Sequence, residues 1–425
     1  MARRKLSQIV ACVLSLAFLV TARAASAADA ATKQKGTGIS KPVAEKLLAA
    51  YELLQNDKFD ESLVIVDQLA GRRRLKQPEI AQIHRFRGYI FVNKGMSEKA
   101  AAEFELALAA QALDPAAEQV MIYSLAQIYT QLGQYDGALA LMNRWFESEL
   151  NPKPDAYYLK AMILVQQEKF AAALEPARAA VESSPEPRES WLQLLVVIYG
   201  QQKDYANVAA TLERLVSLSP AKQQYWLQLA AVQKHLEREA DALATMQLAY
   251  EGGLLVEDKQ LRQLARLLFL RQQPYECARV IESGQASGVI AADAESYRLL
   301  SNCYIAAREN EKALEPLAKA GELAADGEMY LLLGQLYLQR ERFALAVDAL
   351  QKSLAKSKPQ QRGSVQLLIG VAQLGSERFE DAERSFSVAQ NAAKVRRAAE
   401  SYLKFLKEQR ARHAEQQVQG GSSRG

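Results

Sequence analysis

One feature restricts this chain more than any other: a small residue returns in the same apolar context at intervals close to 34 residues, from Val43 to Asn391. Aligning on it selects Ser62, Ala100, Ala138, Ala173, Val208, Ala242, Ala278, Ala313, Ala346 and Ala382. An aromatic stands three positions before several of them, as in Tyr135 with Ala138, Phe170 with Ala173, Tyr275 with Ala278, Phe343 with Ala346 and Phe379 with Ala382. Upstream of each lies an amphipathic stretch with its own small position, occupied by Ala50, Gly88, Ala126, Ala161, Ala230, Ser301, Gly334 or Gly370. Apolar residues recur at three and four, and alternation of period two is nearly absent, so each unit reads as two helices. A small side chain where helices cross lets their backbones approach, while a larger one wedges them apart. One helical hairpin cannot bury its own faces, so the units must stack.

Prolines agree with that punctuation. Pro115, Pro185, Pro220 and Pro359 fall between units, whereas Pro176 and Pro316 fall inside second helices and are expected to kink them. The period and pattern resemble tetratricopeptide repeats. The fold class expected is therefore all-α: a tetratricopeptide-type α-solenoid, a superhelix of about ten helical hairpins plus a C-terminal capping helix. The expected division is a signal peptide over 1–28, a flexible linker over 29–42, the solenoid over 43–391, a capping helix over 392–412 and a disordered tail over 413–425. The cap carries Tyr402, Leu403, Phe405 and Leu406 as its expected inner face. The glycine pair Gly252-Gly253 is a candidate hinge.

The N-terminus has the layout of a secretory signal: Arg3-Arg4-Lys5, an apolar stretch from Leu6 to Val20, then small residues up to Ala27 and Ala28, near which cleavage is expected. The apolar stretch is shorter than the ~20 residues a membrane-crossing helix needs. The mature chain is thus expected to be periplasmic and peripheral to a membrane at most. The net charge of +4 disappears with the signal, which removes only basic residues, so electrostatics gives no reason to expect a nucleic-acid partner. The run Arg72-Arg73-Arg74 with Lys76 reads as a solvated inter-repeat loop. Cys277 and Cys303 lie in apolar helical segments that should be neighbours, and an oxidising compartment would allow them to bond.

Chemistry is sparse. His84, His235 and His413 are far apart in the pattern and have no ligand-spaced partners, so no metal, cofactor or catalytic residue is assigned. Ser219-Pro220-Ala221-Lys222 matches a serine–lysine pattern without its companion motifs, and no small-molecule substrate is expected. A solenoid instead offers a face lined by the first helix of every hairpin. By resemblance to tetratricopeptide repeats, the groove-facing positions are Arg85, Tyr89, Asn93, Tyr123, Gln127, Tyr158, Met162, Gln166, Gln193, Gln201, Gln224, Lys234, His235, Arg298, Asn302, Gln335 and Gln339. Tyrosines and amides there suit a peptide of a protein partner.

Several segments have a narrower resemblance: Lys46 to Leu54, Arg85 to Tyr89, Glu189 to Leu195, Tyr225 to Ala230 and Ala249 to Leu255. They resemble the periplasmic tetratricopeptide proteins that accompany TonB energy-transduction systems. That resemblance implies contact with TonB, ExbB or ExbD and a part in energised uptake of iron chelates across the outer membrane. The alternative is a scaffold for envelope assembly or for polysaccharide or secretin export.

Overall fold

The computed structural model describes residues 38–408. The expected signal peptide, its cleavage site, the end of the capping helix and the tail lie outside the described residues. The described residues are helical throughout, with no strand among them. They divide into two compact units, one ending at Leu236 and the other beginning at Glu237.

In the first unit, first and second helices alternate. They are α1 (Lys41–Gln55) and α2 (Phe59–Ala70), α3 (Gln77–Asn93) and α4 (Ser97–Ala109), α5 (Pro115–Gln131) and α6 (Tyr135–Ser148), α7 (Pro154–Gln166) and α8 (Phe170–Glu182), α9 (Glu189–Gln201) and α10 (Tyr205–Leu218), then α11 (Gln223–His235). The second unit opens with α12 (Glu239–Glu251). It continues with α13 (Asp258–Leu270) and α14 (Pro274–Ala286), α15 (Ala294–Ala306) and α16 (Asn310–Leu323), α17 (Glu328–Gln339) and α18 (Phe343–Lys356), α19 (Pro359–Gly375) and α20 (Phe379–Ala389). Helix α21 runs from residue 396 to the last described residue, 408. Within each unit successive helices pack on one another, and first helices also touch across hairpins, as α1 does α3 and α7 does α9. This is the tetratricopeptide-type stacking of successive hairpins.

The small positions explain the packing. Nearly all of those read from the sequence are buried, and the first-helix glycines show what each faces. A Cβ on Gly88 would lie 2.2 Å from the Phe104 ring, one on Gly370 2.5 Å from Phe386, and one on Gly334 2.5 Å from Leu350. In every case the facing residue lies four positions after the small residue of the second helix, so one turn supplies both the gap and the side chain that fills the opposing gap. Ser62 adds a hydrogen bond, its Oγ donating to the Ala50 carbonyl at 2.7 Å.

The turns inside the hairpins share one backbone device. Each has a residue in the left-handed region, with φ between 57° and 73°, five positions before the second helix's small residue. The following N–H closes back on the first helix, as Lys58 does on Leu53, Met96 on Phe91 and Lys169 on Leu164, each at 2.9 Å. Only Gly95 and Gly133 suit that conformation without cost; Asp57, Glu168, Lys203, Gln272, Arg308, Glu341 and Glu377 adopt it with a side chain. Tertiary packing therefore holds these turns, overriding local preference.

That register corrects one reading. The left-handed residue Gln272 places the small position of α14 at Cys277, not at Ala278. Tyr275, read as the aromatic before it, is 57% exposed, and Pro274 starts the helix where six other second helices begin with an aromatic. Proline presets the first helical φ, so it displaced the aromatic and moved the pattern by one.

Three further differences follow from local contacts. Helix α1 begins at Lys41, inside the stretch read as linker, because Ser40 is tied down: its N–H and Oγ both donate to Glu79 Oε1, at 3.0 and 2.6 Å. In α21 the buried positions are Ala399 and Leu406, with Tyr402 stacked on Phe386 at 4.8 Å, whereas Phe405 faces outward. Residues 399, 402, 403 and 406 follow the helical stripe, and 405 falls off it. The pair Gly252-Gly253 forms the α12–α13 turn, while the division between the units falls earlier, after Leu236. Pro176 and Pro316 do lie inside α8 and α16, and no described helix is long and apolar enough to cross a membrane.

Cys277 and Cys303 are bonded, with a Cα–Cα distance of 6.0 Å, and both are fully buried. The bond joins α14 to α15, and so one hairpin to the next. Nearby, Arg262 ties the same two hairpins through Asp258 at 2.8 Å and Asp293 at 2.9 Å.

Two outcomes are expected. Gly88→Ala should cost ~1–3 kcal/mol by forcing Phe104 aside, and adding Phe104→Leu should recover part of that loss in urea unfolding. An unchanged midpoint for Gly88→Ala would place the ring elsewhere. The Cys277–Cys303 bond closes a segment of 26 residues; Cys303→Ala should therefore lower stability by roughly 2–4 kcal/mol, and dithiothreitol should have no further effect on that variant.

Candidate functional site

Three rows of side chains run across the first helices, defined by their offset from the small residue. Three residues before it stand Leu47, Arg85, Tyr123, Tyr158, Gln193 and Leu227 in the first unit. One residue after it stand Tyr51, Tyr89, Gln127, Met162 and Val197. Five residues after it stand Gln55, Asn93, Gln131, Gln166, Gln201 and His235. Successive helical turns place these rows side by side on one face.

The rows differ in depth. Arg85, Tyr158 and Met162 are buried, whereas Tyr89, Tyr123, Gln127, Gln166 and Gln193 are half-buried. Asn93, Gln201, Gln224, Lys234 and His235 are exposed. Of the candidates read from the sequence, Arg298, Asn302, Gln335 and Gln339 lie in the second unit and the others in the first. In the second unit the corresponding rows are mixed: the outer row holds Leu270, Ala306, Gln339 and Gly375.

Within the first unit the structure joins several candidates through residues that the repeat register did not select. The Tyr123 ring lies 5.2 Å from Trp145, which meets Phe146 edge-on, and Phe146 in turn lies 5.2 Å from Tyr157. Burial pushes the Tyr123 hydroxyl up to about 12, assisted by the negative charge of Asp155 and opposed by Arg188. Arg188 pairs with Asp155 at 2.5 Å and lies 5.2 Å over the Trp191 ring, while Trp191 stands 6.4 Å from Tyr158. Trp145 and Phe146 sit on a second helix, where the first-helix register gives no signal. Gln55 and Gln131 could have been found from the offset alone.

Farther along, Gln193 donates to the Tyr225 hydroxyl, which itself donates to Glu189. Glu189 also accepts from Lys222 Nζ at 2.6 Å and from Ser219 Oγ at 3.0 Å. Burial alone would raise the Glu189 carboxyl, but these donors outweigh it and hold it below the usual value. Gln193 is therefore committed to an internal network, while the exposed His235 ring meets Tyr205 edge-on at 4.2 Å. Ser219 and Lys222 act here as supports for Glu189, which accounts for the serine–lysine pattern structurally. The run Arg72-Arg73-Arg74 lies exposed in the turn between α2 and α3.

A cleft of about 140 Å³ opens elsewhere in the unit, between α8, α9 and α10, lined by Val181, Leu195, Tyr199 and Thr211 among others. It is too small for more than one side chain. Among the described residues no group of three or more His, Cys, Asp or Glu side chains is placed to hold a metal ion.

Comparisons with known proteins agree on the repeat. Residues 47–117, 123–187 and 304–362 match the family model of the tetratricopeptide repeat. Among solved structures, a tetratricopeptide repeat protein from Parabacteroides merdae is 17% identical over 61% of this chain and 99% of that one, with a TM-score of 0.36. The C-terminal part of a repeat protein from Cytophaga hutchinsonii is 14% identical over 65% and 95%, with a TM-score of 0.37. YrrB, described as a protein of this kind with an unusual peptide-binding site, is 20% identical over 41% and 85%, with a TM-score of 0.35. Comparison with curated proteins finds no match.

Alkaline pH tests the aromatic part of the site. A tyrosine whose folded pKa is raised from 10 to about 12 keeps its proton in the folded state after the unfolded chain has lost it, so its contribution is complete below pH 10 and is lost as pH rises toward 12. Tyr123→Phe should flatten the fall of stability across that window, read by urea unfolding at pH 9 to 11.5. An unchanged slope would mean that Tyr123 is solvated.

Proposed function

We propose that this chain is an exported scaffold that holds a protein partner on the first-helix face of its first unit, and that it serves a TonB–ExbB–ExbD system in the uptake of iron chelates. The proposed role is binding, without catalysis. The binding half rests on one observation: five consecutive first helices end in an amide at the same register, most of them exposed. Polar side chains repeated in register on a scaffold of stacked helices present donors and acceptors at fixed spacing, which suits a chain laid across them.

Export is supported by two independent features. The N-terminal sequence has the layout of a signal, and the buried Cys277–Cys303 bond is of a kind that persists in oxidising compartments. A periplasmic location accommodates both. The TonB assignment is carried by the segments that resemble that group of proteins. Four of them, Lys46 to Leu54, Arg85 to Tyr89, Glu189 to Leu195 and Tyr225 to Ala230, lie on the first helices α1, α3, α9 and α11. The resemblance thus falls largely on the helices that carry the proposed binding face.

Photo-crosslinking in cells tests the partner. A benzoylphenylalanine placed at Gln131 should capture TonB, ExbB or ExbD, and deletion of the gene should slow growth on iron chelates. Capture of an outer-membrane export channel, with chelate uptake intact, would replace the transport reading with one of envelope assembly or polysaccharide or secretin export.

A further inference from the structure

The turn between α2 and α3 concentrates positive charge: Arg72, Arg73, Arg74 and Lys76 are all exposed there. The acids nearest in sequence are engaged elsewhere. Asp67 pairs with Arg87 at 3.1 Å, and Glu79 accepts from Ser40 and, at 2.8 Å, from the Lys76 N–H. Burial alone would raise the Glu79 carboxyl, but those hydrogen bonds and the Lys76 charge hold it below its usual value, so Lys76 is partly matched. The three arginines are not: among the described residues no carboxylate forms an ion pair with any of them. The turn is nonetheless fixed. Leu75 packs against the core of the first hairpins, the Arg72 N–H donates to the Leu69 carbonyl at 3.1 Å, and Arg74 holds a left-handed φ of 67°. Adjacent like charges on an ordered turn repel one another, and they gain most where a dense anionic layer meets them.

The place of the turn in the fold indicates which layer that is. A helix of this length spans about 20 Å, and the exposed acids Asp57, Asp60 and Glu61 gather at the opposite end of the first hairpin, around the α1–α2 turn. The basic end is where the N-terminal part of the chain enters: Ser40, just before α1, is bonded to Glu79 in the first turn of α3, and Lys76 is the N-cap of that helix. The sequence leading in, residues 29–37, adds Lys33 and Lys35 against the single acid Asp29, and the apolar stretch read as an export signal ends at Val20, 20 residues before Ser40. This corner is thus the part of the fold nearest in sequence to a segment that meets a bilayer. Later turns at the same end do not repeat the charge, since residues 149–153 set Glu149 against Lys153 and residues 183–188 set Glu186 against Arg188. Exposed arginines on a turn need no shaped counterpart, and headgroup phosphates supply a flat layer of negative charge.

We propose that the α2–α3 turn is a membrane-contact site, with Arg72, Arg73 and Arg74 resting on the headgroup phosphates of an anionic phospholipid bilayer and the N-terminal hairpin turned toward that surface. The contact is peripheral and reversible. It goes beyond the scaffold reading and uses a different surface: Gln55 and Asn93 stand at the other ends of α1 and α3, where they stay open to a protein partner.

Flotation of the full mature chain with vesicles of equal parts phosphatidylglycerol and phosphatidylethanolamine, against vesicles of phosphatidylcholine alone, tests this. At low salt the chain should float with the anionic vesicles only, and the binding should fade as screening shortens to ~10 Å at 0.1 M salt. Arg72→Ser, Arg73→Ser and Arg74→Gly together should weaken partitioning roughly 100-fold. The melting temperature should hold, because glycine accepts the left-handed backbone at position 74. Changing the same three arginines to lysine should keep partitioning within about threefold, since a headgroup layer responds to charge more than to the guanidinium fork. Inorganic phosphate at matched ionic strength should displace no more chain than chloride does. Absence of flotation, equal binding to the neutral vesicles, full binding by the neutralised variant, loss in the lysine variant, or displacement specific to phosphate would each overturn the proposal. None of these outcomes touches the scaffold reading, which the capture experiment at Gln131 decides separately.

Discussion

The hairpins depend on one close approach, repeated: a first-helix residue with little or no side chain admits a large side chain from the second helix. Gly88 receives Phe104, Gly334 receives Leu350, and Gly370 receives Phe386. The contact is steric and therefore indifferent to solvent, pH and sequence elsewhere, which lets the same hairpin form many times from different residues. It also fixes rotation about each first helix. Once the small residue faces inward, the residues three before, one after and five after must lie along the adjoining face. The candidate face is a geometric consequence of the packing.

The same constraint explains why unfavourable local features survive. Charged and amide side chains hold left-handed backbone at Glu168, Lys203, Gln272, Glu341 and Glu377, where glycine would be easier. Each turn is closed by a backbone hydrogen bond and held by the helices on either side, so the local cost is outweighed by burial of both. The regular part of the structure supplies the stability that these positions consume.

That division marks what could be read in the sequence. Small residues, interval and helical period are all properties of one position at a time, so the hairpins and most of their register were legible, as were the prolines between units. The reading slipped at Tyr275 and Ala278 because Pro274 satisfies the helix start without an aromatic, and the pattern was anchored on the aromatic. Phe405 was misplaced because hydrophobicity alone put it inside, where helical phase puts it out. In the candidate site, Tyr123 and Tyr158 were found by register, but their neighbours Trp145, Arg188 and Trp191 were not. These contacts lie between different helices, and those of Trp191 with Tyr158 and of Arg188 with Asp155 between different hairpins; a repeat pattern carries no information about which side chain reaches across.

Arg85 shows the limit from the other side. Its register position was evident, but whether it would be exposed, paired like Arg262, or buried alone depends on what its neighbours do. Asp293 reaches Arg262 because it caps the next first helix, with Asp258 one turn away from Arg262 on its own helix. Asp114 caps the corresponding helix beside Arg85, yet its carboxylate turns to Ala117, and the residue one turn before Arg85 on α3 is Ala81, with no carboxylate to offer. Two arginines at the same repeat position therefore meet different fates for a reason visible in single residues. Where the fold supplies both acids, the arginine joins hairpins; where it supplies neither, the guanidinium stays on its own helix, over the Phe86 ring.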